Sequence, residues 1–152
     1  MLLEGGGMMG AIHDEMSKEA YEMVRKAGIN NSEFRSLARA FPSMLQVNGL
    51  GNAIAFLYAK KNDQNKKDKK NEKDVKNVHD ILYKEIECWT WRTLEHQQEE
   101  QAQKSENPKL PLDLMERITK LDSTGYRIYT DEIMHLCLWI KRFAEGMIKA
   151  EK

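Results

Sequence analysis

Residues 32–61 read SEFRSLARAFPSMLQVNGLGNAIAFLYAKK, and their apolar spacing decides the fold class. Phe34, Leu37, Ala38 and Phe41 recur at intervals of three and four, which places them on one side of a helix. Arg35 and Arg39 lie four residues apart and off that stripe. Pro42 lacks a backbone N–H, so it is expected to kink the helix or to open a new first turn. Met44, Leu45 and Val47 supply one more short apolar turn, and Asn48-Gly49 a left-handed stop. The periodicity restarts at once with Leu50, Ala53, Ile54 and Leu57. Lys60 and Lys61 occupy the last turn, where cations suit the helix dipole. The stretch predicts a tight helical hairpin whose apolar faces close on each other.

Working outward, Ile12, Met16, Ala20, Met23, Val24 and Ala27 form a helical stripe that stops at Gly28. The glycine-rich residues 1–10 before it are expected to form a flexible tail. Asn30 and Glu33 have the spacing of a capping box for the helix that follows. Residues 62–74 contain no apolar side chain and read as a charged loop. Val75, Val78, Leu82, Ile86 and Trp89 then hold one face of what is expected to be the longest helix, with Thr93 continuing it. Trp91 projects opposite to that stripe: covered by another helix it is core, left exposed it is a partner contact. Polar sequence follows until Asn107-Pro108. Leu112, Met115, Ile118 and Leu121 suggest a short helix, and residues 122–125 a turn. Thr130 is a candidate cap for a final helix carrying Ile133, Leu136, Cys137, Ile140, Ala144, Met147 and Ile148 on one face. No segment alternates like a strand. The expectation is all-α: a single domain over residues 11–152, about six helices, a central helical hairpin and a long middle helix, with Leu37, Phe41, Leu57, Leu82, Ile86, Ile140 and Ala144 buried.

A chain of 152 residues with 41% hydrophobic side chains can build one core. Twenty-four basic residues balance twenty-four acidic ones, so net charge gives no argument for a nucleic-acid partner. A local basic patch is still compatible with that balance, because residues 60–76 hold eight lysines against four acids. Cys88 and Cys137 lack metal-type spacing and read as reduced packing residues of a cytoplasmic protein. Glu132 and His135 have the E-x-x-H spacing of a carboxylate-bridged metal bundle, but the second such pair is missing, so no metal and no cofactor is expected. Gly49-Leu50-Gly51 follows a helix and has Ile54 where a phosphate loop would place a third glycine. No serine stands in a nucleophile-elbow context, so the chain offers no catalytic residues.

The segments FRSLARAFPSMLQVNGLGNAIAFL and YTDEIMHLCLWIKRFAEGMI together resemble the small, all-helical subunit family of type III-B (Cmr) CRISPR RNA-targeting complexes. They cover about a third of the chain, and residues 62–121 add no motif. The resemblance implies a non-catalytic structural subunit that stacks in several copies along a repetitive backbone subunit. Such a subunit lines the groove that holds the guide–target RNA duplex. It implies RNA contact for Arg35 and Arg39, with Lys141 and Arg142 as a second pair, and it makes Trp91 the candidate partner contact. The alternative is a helical protein–protein adaptor with no nucleic-acid role, which the neutral net charge favours.

Overall fold

In the computed structural model, residues 3–62, 77–95 and 112–150 are described, with side chains from Glu15 onward. Residues 63–74 of the charged loop, Val75 and the polar run after Glu95 lie outside them. Six helices are present among the described residues: α1 (Leu3–Ala27), α2 (Ser32–Asn48), α3 (Leu50–Lys61), α4 (Val78–Leu94), α5 (Leu114–Thr119) and α6 (Ser123–Met147). There is no strand among the described residues. The helices group into two compact units. The first takes residues 1–42 and 134–152, the second residues 43–133.

The first unit is built on α1, the N-terminal part of α2 and the C-terminal part of α6. α1 extends back to Leu3, into the stretch expected to be a tail. Elongating a helix that already exists costs far less than nucleating one, so even a run of glycines can join it. The predicted stripes are buried here: Met16, Ala20, Met23 and Val24 of α1, Phe34, Leu37, Ala38 and Phe41 of α2, and Leu136, Cys137, Ile140 and Ala144 of α6. Each large side chain among them contributes about 1.5–3 kcal/mol by leaving water. Gly28, at φ +106°, turns the chain after α1. The cap of α2 is Asn31, whose Oδ1 accepts from the Phe34 N–H at 3.0 Å, and not the Asn30–Glu33 box. The α2 helix runs through Pro42 without ending there. Lys149 N donates to Ile29 O at 3.1 Å, tying the end of α6 to the start of α2.

In the second unit α3 packs against α4 and α5. Gly49, at φ +85°, separates the end of α2 from the start of α3, as the Asn48-Gly49 pair predicts. Leu50, Ala53, Ile54 and Leu57 are buried, and so are Val78, Leu82, Ile86 and Trp89. Asn77 joins the two helices: its Oδ1 caps α4 at His79 N, while its Nδ2 donates 2.7 Å to Lys60 O in the last turn of α3. The middle helix is not the longest, spanning 17 described residues against 25 each for α1 and α6. α6 begins earlier than expected because Asp122, not Thr130, caps it. Asp122 Oδ1 accepts from Gly125 N at 2.7 Å, whereas Thr130 lies inside the helix and donates to Tyr126 O. The predicted turn at 122–125 is therefore the first turn of α6.

Helix α5 has only six residues, too few to be stable alone, and α4 holds its N-terminus. Glu87 Oε2 accepts from Leu114 N at 2.9 Å, and the Tyr83 hydroxyl accepts from Met115 N at 2.9 Å while donating to Asp113. The buried face of α5 is Leu114, Arg117 and Ile118, whereas Leu112 is exposed. Arg117 donates to Leu112 O (3.1 Å), Thr90 Oγ1 (3.1 Å), the Tyr129 hydroxyl (3.1 Å) and Glu87 O (2.8 Å). The Tyr129 hydroxyl in turn donates to Glu95 at 2.7 Å, and burial pushes its pKa up to about 12. Burial, then the neighbouring Asp113, raises the Glu87 carboxyl above its ordinary value, against the Leu114 N–H and Arg117, which lower it.

Candidate nucleic-acid interface

The four basic residues singled out by the sequence all belong to the first unit. The Asn31 cap sets the register of α2, which puts Arg35 and Arg39 on adjacent turns of one face. Arg35 is half-buried. Its Nε is covered and has no hydrogen-bond partner, so its aliphatic stem packs along the helix surface. Arg39 is exposed, with Nε 3.8 Å from Glu145 Oε1 on α6. Both partners are more than a third exposed, so this ion pair contributes at most about 1 kcal/mol. A phosphate could displace Glu145 at that modest cost.

Lys141 and Arg142, consecutive on α6, point in different directions. Lys141 lies one turn before Glu145 on the same face of α6, on the side where Arg39 reaches across. Arg142 is rotated about 100° from Lys141. Its guanidinium lies over the Trp139 ring, 6.0 Å from the centroid. The structure thus brings Arg39 to Glu145, with Lys141 one turn before Glu145 on α6 and Arg35 one turn from Arg39 on α2, while Arg142 lies over an aromatic face.

Trp91, the candidate partner contact, is half-buried in the second unit, with the Arg117 guanidinium 5.4 Å from its ring centroid. Its burial is intermediate between the covered and the exposed positions that the sequence left open. Glu132 accepts from Trp89 Nε1 at 2.9 Å, which gives it a packing role beside the exposed His135. No group of three or more His, Cys, Asp or Glu is arranged to hold a metal among the described residues. The start of α3 is also occupied, since Gly51 N donates to the Tyr126 hydroxyl at 2.8 Å. Cys137 is buried and its thiol pKa is raised by that burial, so it is an inert packing group.

Two features escaped the sequence reading. The buried role of Arg117 has no local signature, because three of its four partners lie 12 to 30 positions away. The aromatic face formed by Tyr21, Trp139 and Phe143 joins two helices far apart in the sequence, so no local pattern marks it.

The sequence profile of the CRISPR-associated Cmr5 family (Cas_Cmr5) matches residues 12–147. The chain belongs to the Cmr5 family. A solved Cmr5 family protein from Thermus thermophilus superposes with a TM-score of 0.60. That comparison covers 90% of this chain and 97% of the other at 23% identity, and at that identity it speaks for the fold. No curated protein matches the sequence. Cmr5 membership makes the chain a small subunit of a type III-B CRISPR complex, with the other Cmr subunits as its partners. No helix among the described residues is long and apolar enough to cross a membrane.

Proposed function

We propose that this Cmr5 protein is a non-catalytic structural subunit that stacks in several copies along the complex in the cytoplasm and holds the guide–target RNA duplex through its phosphates. The observation that carries the reading is the α2 face, where Arg35 and Arg39 lie on successive turns with Lys141 beside Glu145 on the neighbouring helix. Adjacent turns separate such side chains by about the spacing of neighbouring phosphates. Base pairing with the guide supplies sequence recognition, so the protein needs only positive charge at the backbone. Arg142 belongs to this surface less directly, because Trp139 holds it. Trp91 is kept as a contact for a neighbouring subunit through its exposed part.

The test belongs in the assembled complex, where stacked copies add through effective concentration. Arg35→Glu with Arg39→Glu is expected to weaken target-RNA binding, to make its salt dependence shallower by about one to two units of slope, and to leave sequence preference unchanged. Unchanged affinity in an intact complex would favour the second reading, a protein–protein adaptor. Two observations lean that way: Arg39 already has Glu145 as a partner, and the chain is neutral.

A further inference from the structure

In the first unit, α1 and α6 together present an aromatic face to solvent. Tyr21 is 45% exposed, and its ring meets Phe143 edge-on, with centroids 5.6 Å apart and planes at 87°. Phe143 stacks on Trp139, also at 5.6 Å, and Arg142 lies over Trp139. A groove of about 360 Å³ opens beside these rings, lined by Ser17, Lys18, Tyr21, Glu22 and Phe143. Aromatic rings and arginine clustered at a solvent-facing groove are the side chains that dominate binding energy at protein interfaces.

The charges around the groove define what fits. Glu22 is engaged by Arg25 at 2.7 Å, an interaction that holds its carboxyl below the ordinary range. Glu145 is engaged by Arg39. Lys18 and Arg142 are exposed and have no carboxylate partner among the described residues. Lys18 on the groove wall and Arg142 over Trp139 are thus left to meet a partner, while the rings of Tyr21 and Phe143 supply an apolar wall. We infer that this groove docks a segment of a different protein subunit, one that lays an apolar side chain against Tyr21 and Phe143 and sets carboxylates against Lys18 and Arg142. A nucleotide fits less well. Base stacking needs a free ring face, whereas here the rings already pack on one another. The inference is independent of the RNA role proposed for Arg35 and Arg39.

A photo-crosslinking phenylalanine analogue placed at Tyr21 of the full chain, in the assembled complex, gives a direct test. The expected product is a crosslink to a different protein subunit, mapping to an apolar residue with Asp or Glu within one helical turn. Lys18→Glu changes one exposed position outside the proposed RNA surface, where the fold is expected to tolerate it. It should abolish that crosslink and weaken incorporation of the chain by about thirtyfold. A crosslink to RNA, a crosslink to a second copy of this chain, or normal incorporation of the charge-reversed variant would each overturn the proposal.

Discussion

Removing the Arg117 side chain tests whether the second unit depends on one buried cation. Arg117 is 5% exposed and reaches four acceptors, and its hydrogen bonds go to carbonyls and hydroxyls, with Glu95 reached only through Tyr129. Hydrogen bonds from a charged donor are individually worth about 1.5–3 kcal/mol, but truncation does not lose all four in full. Thr90 keeps its bonds to Ile86 O and Glu87 O, and Tyr129 keeps Glu95, so Leu112 O and the anchoring of α5 bear most of the loss. Arg117→Met preserves the volume and isolates the polar part, for which we expect about 2–3 kcal/mol. Arg117→Ala adds an incompletely collapsed cavity and should cost about 4 kcal/mol. Urea denaturation of both variants is the assay, with an unchanged m-value required for the comparison. In a chain of this size, about 2–3 kcal/mol corresponds to a fall in melting temperature of about 4–12 °C. Hydrogen exchange at Leu114 and Met115, whose amides are bonded by α4 side chains, should accelerate before the rest. A methionine variant within about 0.5 kcal/mol of the parent would refute the reasoning, because at these positions the network would then be replaceable by packing alone.

Glu87→Gln addresses the carboxyl whose pKa burial raises. A raised acid binds its proton more tightly in the native state, so its contribution to stability is present below the ordinary carboxylate pKa and is lost as pH rises through the native value. Glutamine imitates the protonated form, accepting from Leu114 N and donating toward Asp113. The variant should match or exceed the parent in urea midpoint at about pH 8 and show less dependence on pH between about 4 and 8; parallel curves would contradict this. Gly49→Ala and Gly51→Ala form a contrast at one turn. Gly49 sits at φ +85° and should cost about 1–2 kcal/mol by backbone strain, although an added Cβ would stand 3.7 Å from the Tyr126 hydroxyl. Gly51 is inside α3 with 3.5 Å of room, so alanine there should change stability by less than about 1 kcal/mol, with either sign of helix propensity and crowding absorbed. Equal losses at the two positions, measured by thermal melting, would show that space rather than φ is limiting.

Where the sequence was legible, a local rule and the tertiary structure agreed. The α2, α3 and α4 faces follow the three-and-four spacing, and all seven residues expected in the core, from Leu37 to Ala144, are buried. Helix ends were less legible because several polar residues competed to cap each one. Asn31 prevailed over its neighbour Asn30, and Asp122 over Thr130, since each holds a backbone N–H three residues ahead. Val47 shows the limit of periodicity: an apolar residue at the end of α2 falls 81% exposed once Gly49 turns the chain. In α5 the error was one of phase. Met115 continued the stripe with Leu112 and Ile118, but Glu87 and Tyr83 fix the start of the helix so that Leu114 turns inward and Arg117 follows it. The candidate site obeys the same logic. Spacing put Arg35 and Arg39 on one face because they share a helix. Adjacency in sequence gave no such guarantee for Lys141 and Arg142, since consecutive residues on a helix point about 100° apart. Which of that pair faces α2 depends on where Glu145 and Trp139 stand, and only the packed helices decide that.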